Sequence, residues 1–124
     1  MANKKKTEEQ ILFPETNVCG IIIKPWAFGM LFELSESLDA VLDKADQKGI
    51  LDNIINEDGV ISYITMARIL ALANEEVLQI ISTTIDKSHD EIKAYDMAKG
   101  IKIALTIFNQ NKETIKNALS QMEK

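Results

Sequence analysis

The sequence predicts a mainly α fold: a small helical domain of about five helices with one short N-terminal strand. Three observations carry that prediction. Apolar residues recur at three- and four-residue spacing along most of the chain from Ala27 onward. The β-branched run Ile21-Ile22-Ile23 is stopped by Lys24-Pro25. Gly, Asn and Ser stand where helices would need caps. At 124 residues, with 46% hydrophobic and 6% aromatic content, the chain can build one largely aliphatic core.

Residues 1–17 are polar around Ile11-Leu12-Phe13 and Pro14, and are expected to form a flexible arm able to dock or to add a strand; residues 18–124 are expected to form a single helical domain. The strand is placed at Val18–Lys24, because β-branched side chains suit a pleated ladder and Pro25 has no N–H to extend one. A lone strand needs a partner, either the arm or another subunit. From Ala27 to Asp46, residues Leu31, Leu34, Leu38, Val41, Leu42 and Ala45 share one face, with Glu33, Glu36, Asp39, Asp43 and Asp46 opposite. Gly49 ends this amphipathic helix, and Ile50–Ile55 can add a turn before the Asn56-Glu57-Asp58-Gly59 breaker.

Val60–Ala73 is apolar over a wide arc, which predicts a central helix with more than one buried face. Asn74 is placed as the cap of a helix over Glu75–Ile85, with Glu75 and Glu76 at its positive end. Ser88-His89-Asp90-Glu91 has the capping-box pattern, so the next helix starts near His89 and runs to Gln110, with Ile101, Ala104, Leu105 and Phe108 as its stripe. Gly100 weakens its middle by about 1 kcal/mol relative to Ala and invites close helix approach. Asn109-Gln110-Asn111 is read as a loosening of the chain. Lys112–Gln121 then carries the narrow stripe Ile115, Leu119 and Met122.

The chemistry-bearing residues assemble no reactive centre. Asn56–Ser62 resembles the middle of a calcium loop, but placing Gly59 at its sixth position puts Ile54 first and Thr65 twelfth, where carboxylates are required. His89 is the single histidine, and with Asp90 and Glu91 at one helix start it cannot converge on a metal without other segments. Cys19 has no neighbouring base or cation to activate it and is read as a small buried side chain. The acidic row Glu33–Asp46 is read as a solvated face, a basic partner being the competing reading. Phe28 is read as seating the first helix on the core, and Trp26 serves equally as core or as partner anchor. No catalytic, cofactor or metal residue is assigned, and no enzymatic activity is expected.

A net charge of −5 repels phosphate backbones, and Lys4-Lys5-Lys6 is too short to reverse that, so nucleic acid is excluded as a partner. No apolar run approaches the ~20 residues that span a bilayer. With one cysteine and no signal-peptide pattern, a cytoplasmic location is expected.

Taken in order, Ile22-Ile23-Lys24-Pro25-Trp26-Ala27-Phe28-Gly29, Leu70-Ala71-Leu72-Ala73-Asn74-Glu75-Glu76 and Ile101–Asn111 resemble the hydrophobic blocks and turns of bacteriophage and prophage tail assembly chaperones, over residues 18–122. The resemblance implies a small helical, non-enzymatic protein that works without a cofactor in the bacterial host cytoplasm. It would bind the tape measure protein and keep that chain soluble until the tail tube polymerises. It also implies a longer frameshifted product in many members. The arm before Asn17 and Gly100 do not match the family pattern. Helix-in-groove recognition makes Trp26, Met30, Phe32, Ile115, Leu119 and Met122 the candidate partner contacts. Homo-oligomers through the unpaired strand and C-terminal helix fit the same reading. The competing readings are a structural tail or capsid accessory protein, and a small helical regulatory module. The latter lacks a basic recognition helix, since Lys99 and Lys102 are too sparse.

Overall fold

In the computed structural model, residues 15–50, 54, 55 and 59–122 are described, with the side chains of residue 31 and of residues 118–122 left aside. The β-branched run does form a strand, but as half of a hairpin. Strand β1, Thr16–Val18, pairs antiparallel with β2, Ile21–Ile23, in the register Thr16 to Ile23, Asn17 to Ile22 and Val18 to Ile21. The turn between them is Cys19-Gly20, with φ of +52° and +88°. Two successive positive φ values give the mirror-image turn whose twist matches paired strands. The Asn17 side-chain oxygen accepts from the Gly20 N–H at 2.9 Å and braces it. The expected strand Val18–Lys24 is thus too long, and its partner includes residues 16 and 17 of the expected arm, one of the two partners open to it; residues 1–14 lie outside the described part. Cys19 is exposed, not buried, because a two-residue turn points its side chains away from the core.

After Pro25 a single 3-10 turn, Phe28–Met30, leads into α1, Leu31–Gln47. Leu34, Leu38, Val41, Leu42 and Ala45 are buried, and the acidic row from Glu33 to Asp46 faces solvent, as the spacing predicts. The helix ends in paired backbone bonds: the Ile50 N–H donates to the Ala45 carbonyl at 3.0 Å and the Gly49 N–H to the Asp46 carbonyl at 3.1 Å. That pattern needs a residue at positive φ, and Gly49 supplies it at +75°.

Helix α2, Tyr63–Leu72, begins later than Val60 because Ser62 takes the cap position, accepting from the Thr65 N–H at 3.2 Å. Ala73 bends the chain directly into α3, Asn74–Ile85, so Ala73 and not Asn74 holds the cap position, and no side chain caps that end. The central helix is α3, not α2: it contacts α1, α2, β2 and the next two of the helices that follow, and it buries Val77, Ile80, Ile81 and Ile85. On α2 only Met66 and Ile69 are buried, and Ile64 is exposed.

Ser88 caps the next helix as its pattern requires, accepting from the Glu91 N–H at 3.1 Å. That helix, α4, stops after His89–Lys93. The expected continuous helix from His89 to Gln110 is divided, because Asp96 offers a new cap, its carboxylate accepting from the Lys99 N–H at 2.8 Å. Helix α5 then runs over Met97–Gln110 and α6 over Lys112–Met122. The division gives six α-helices among the described residues. One cluster, mostly Ile, Leu and Val, joins β2 and all six helices, from Ile23 to Ile115.

Asn109-Gln110-Asn111 tightens the chain where loosening is expected. Asn109 accepts from the Ile61 N–H at 2.7 Å and donates to the Ile61 carbonyl at 3.1 Å, copying a strand's pairing. The Gln110 amide donates to Thr16 Oγ1 and to the Ile23 carbonyl, both at 3.0 Å, and so joins the hairpin to α5. Asn111, 5% exposed, accepts from the Trp26 N–H at 2.8 Å and donates to the Ile107 carbonyl at 2.7 Å.

Candidate functional site

The candidate contacts fall into three environments. Trp26 is turned inward: its indole N–H donates to Thr84 Oγ1 at 3.0 Å, and its ring meets Phe108 edge to face with centroids 6.5 Å apart. Both polar and apolar parts of that side chain are engaged within the molecule, so it fastens the segment after β2 to α3 and α5. Met30 is partly buried against the core, and Ile115, 1% exposed, lies within it. Leu119 and Met122 lie outside the described side chains. Phe32 alone of the six is on the described surface, 74% exposed.

Phe32 is joined there by Phe28, 78% exposed, which does not seat the first helix on the core. The 3-10 turn aims Phe28 outward, and the two rings stack edge to face with centroids 5.5 Å apart. Only a view of that turn, four residues before Phe32, reveals the pair. Beyond it, α1 presents its carboxylates. Lys44, the one basic residue of α1, bonds Glu76 of α3 at 2.8 Å. The ammonium holds the Glu76 carboxyl below the usual carboxylate range, helped by the Glu76 backbone N–H and opposed by desolvation.

The second surface feature is a pocket of about 400 Å³ between the α2–α3 bend and the break separating α4 from α5. Leu70, Leu78, Ile81, Ile92 and Ile101 line it, with Glu75, Lys93 and Asp96 contributing polar groups and Met97, 79% exposed, at its edge. The break builds it, since residues on both sides of Tyr95 form the wall. Tyr95 is steadied by Lys99, whose ammonium sits 4.2 Å from the ring centroid, while its shielded hydroxyl has no hydrogen-bond partner among the described residues. Gly100 lines the same wall, and a Cβ there would meet nothing within 4 Å. It therefore leaves space in the pocket and does not serve close helix approach. Sequence reasoning missed this site because the Asp96 cap was read through; Asp96 three residues before Lys99, after the Ala94-Tyr95 pair, is the signal that marks it.

The other polar residues are arranged for structure. His89 Nε2 lies 3.0 Å from Gln79 Oε1, joining the start of α4 to α3. No group of three His, Cys, Asp or Glu side chains among the described residues converges to hold a metal ion. No described helix is long and apolar enough to cross a membrane. What the pocket and the aromatic pair can do chemically is bury apolar groups of another segment. No protein-family model, curated protein or solved structure matches the chain.

Proposed function

We infer that this chain is a binding protein of the tail assembly chaperone type, which covers an apolar helix of a tape measure protein and keeps it soluble during tail assembly. The observation that carries the reading is the open apolar pocket beside the α4–α5 break. Its volume falls in the ~300–1,000 Å³ range of sites that take small apolar groups, and Met97 at its edge is a side chain that adapts to varied partners. Aliphatic side chains one helical turn apart are the occupants that suit it.

Energetics limit what the pocket does alone. Two buried aliphatic side chains contribute about 3–6 kcal/mol, short of the ~8 kcal/mol of a micromolar complex even before the cost of association. The client helix must therefore continue onto further surface, and a long helix with repeated apolar stripes does so. The family resemblance names such a client.

Co-expression with a tape measure protein from the same genome, followed by size-exclusion chromatography, tests the reading. The long chain should become soluble in a stoichiometric complex with the parent protein. Gly100→Phe, which fills the pocket from open space, should abolish the complex while helical circular dichroism is retained. Equal insolubility of the long chain with and without this protein refutes the reading.

A further inference from the structure

The Phe28–Phe32 pair is the largest exposed aromatic feature among the described residues, and it heads a helix whose outer face is acidic. An occupant must bring an apolar group to the rings and positive charge to the carboxylates beyond them. We propose that the occupant is this chain's own segment 4–13, with Ile11-Leu12-Phe13 covering the Phe28–Phe32 pair and Lys4-Lys5-Lys6 facing the acidic row of α1. The proposal is independent of what fills the pocket at the α4–α5 break.

Chain geometry supports it. Thr16 pairs with Ile23, so the chain before Thr16 and the chain after Ile23 leave the hairpin side by side. Ile11 precedes Thr16 by five residues and Phe28 follows Ile23 by five. At ~3.3–3.6 Å per extended residue, each segment spans at most about 17 Å, so chain length allows the apolar triplet to meet the rings. The three lysines begin ten residues before Thr16, a reach of roughly 35 Å. The acidic row from Glu33 to Asp46 is about 20 Å long at the helical rise; Glu33 follows Phe28 by five residues, so the near end of the row lies within that reach.

Charge gives the pairing a direction. Glu33, Glu36, Asp39, Asp43 and Asp46 are exposed, and the one basic residue among them, Lys44, is already bonded to Glu76. Segment 4–13 places its lysines at the far end from the hairpin, with Glu8 and Glu9 between them and the apolar triplet. Running away from the hairpin along α1, apolar residues meet the rings first and lysines meet the carboxylates later, while the two glutamates oppose the row. Tethering raises the effective concentration to the millimolar range, so contacts too weak for a free peptide suffice in one chain.

Paramagnetic relaxation in the full chain tests this. With Cys19→Asn removing the native thiol and Gln10→Cys carrying a nitroxide, the amide signals of Phe28–Glu36 should be lost while those of α5 persist. Leu12→Asp, or Phe28→Ser with Phe32→Ser, should restore them, and Glu8→Gln with Glu9→Gln should deepen the loss. High salt should weaken the effect, since the lysine contacts are exposed. Attenuation spread evenly over the helices, or unchanged by both apolar variants, overturns the proposal. So does attenuation of isotope-labelled chains mixed with nitroxide-bearing unlabelled ones, which would assign the site to a second copy's segment.

Discussion

Asn111→Ala removes an amide that holds two backbone groups at once. Its oxygen accepts from the Trp26 N–H at 2.8 Å and its NH2 donates to the Ile107 carbonyl at 2.7 Å, in a residue only 5% exposed. Alanine has neither group. Stranding one shielded backbone donor or acceptor costs about 1–3 kcal/mol. Taking the middle for the Ile107 carbonyl and the lower end for the partly buried Trp26 amide gives a loss of about 3 kcal/mol. At a urea slope of ~1.5 kcal/mol/M, the unfolding midpoint should fall by about 2 M, followed by Trp26 fluorescence and circular dichroism together. Asn111→Asp adds a diagnostic: it keeps the acceptor for Trp26 but turns a carboxylate toward the Ile107 carbonyl. Repulsion raises that carboxyl's folded pKa, so the variant regains stability below the ordinary Asp value of ~3.9, where the protonated group can donate, and loses it as pH rises. A midpoint shift below about 0.5 M for Asn111→Ala would show that solvent replaces the amide, and would refute the reasoning.

Gly100→Ala should raise stability by up to ~1 kcal/mol, because a methyl there meets open space and the helix gains propensity; a thermal melt checks it. Cys19→Asn should also stabilise, by up to ~1 kcal/mol in urea titration, since asparagine accepts the left-handed backbone at +52° more readily than cysteine. Glu76→Gln should cost stability at neutral pH and not at acid pH. The parent's Glu76–Lys44 contribution is present above the ordinary Glu value of ~4.3 and is lost as pH falls through the lowered folded value, so the two urea midpoints should converge once pH falls below it.

Local signals were legible where one residue decides the outcome. Gly49 after Gln47, Ser88 before His89 and the apolar spacing from Leu34 to Ala45 are each a one-segment argument, and each stands in the structure. The arm was one of two partners open to the strand, but the tight hairpin turn was not legible, because Cys19-Gly20 lacks the Asn or Asp that usually announces it, and the partner strand is only three residues long. The split between α4 and α5 hid behind good helix formers on both sides of Asp96. The amide run at 109–111 misled for a different reason. Asn and Gln disfavour helix continuation through their side-chain hydrogen bonds, and nothing local says that those bonds go to residues 48 to 94 positions away. The candidate site shared that fate: the pocket exists only once α2, α3, α4 and α5 are placed together.

The three consecutive amides also bear on the order in which the fold can be made. The hairpin and Trp26 are made before α5, yet two of the side chains that secure them, Gln110 and Asn111, follow 85 to 94 residues later. Contacts so distant in sequence reward the chain only after long loops have closed. The hairpin thus precedes the amides that lock it, and in the interval its Ile23 side chain and the Trp26 indole have only incomplete surroundings to rest on. The end of α5 is therefore where the fold fastens its first strands, after the α1–α3 interface has its residues in place.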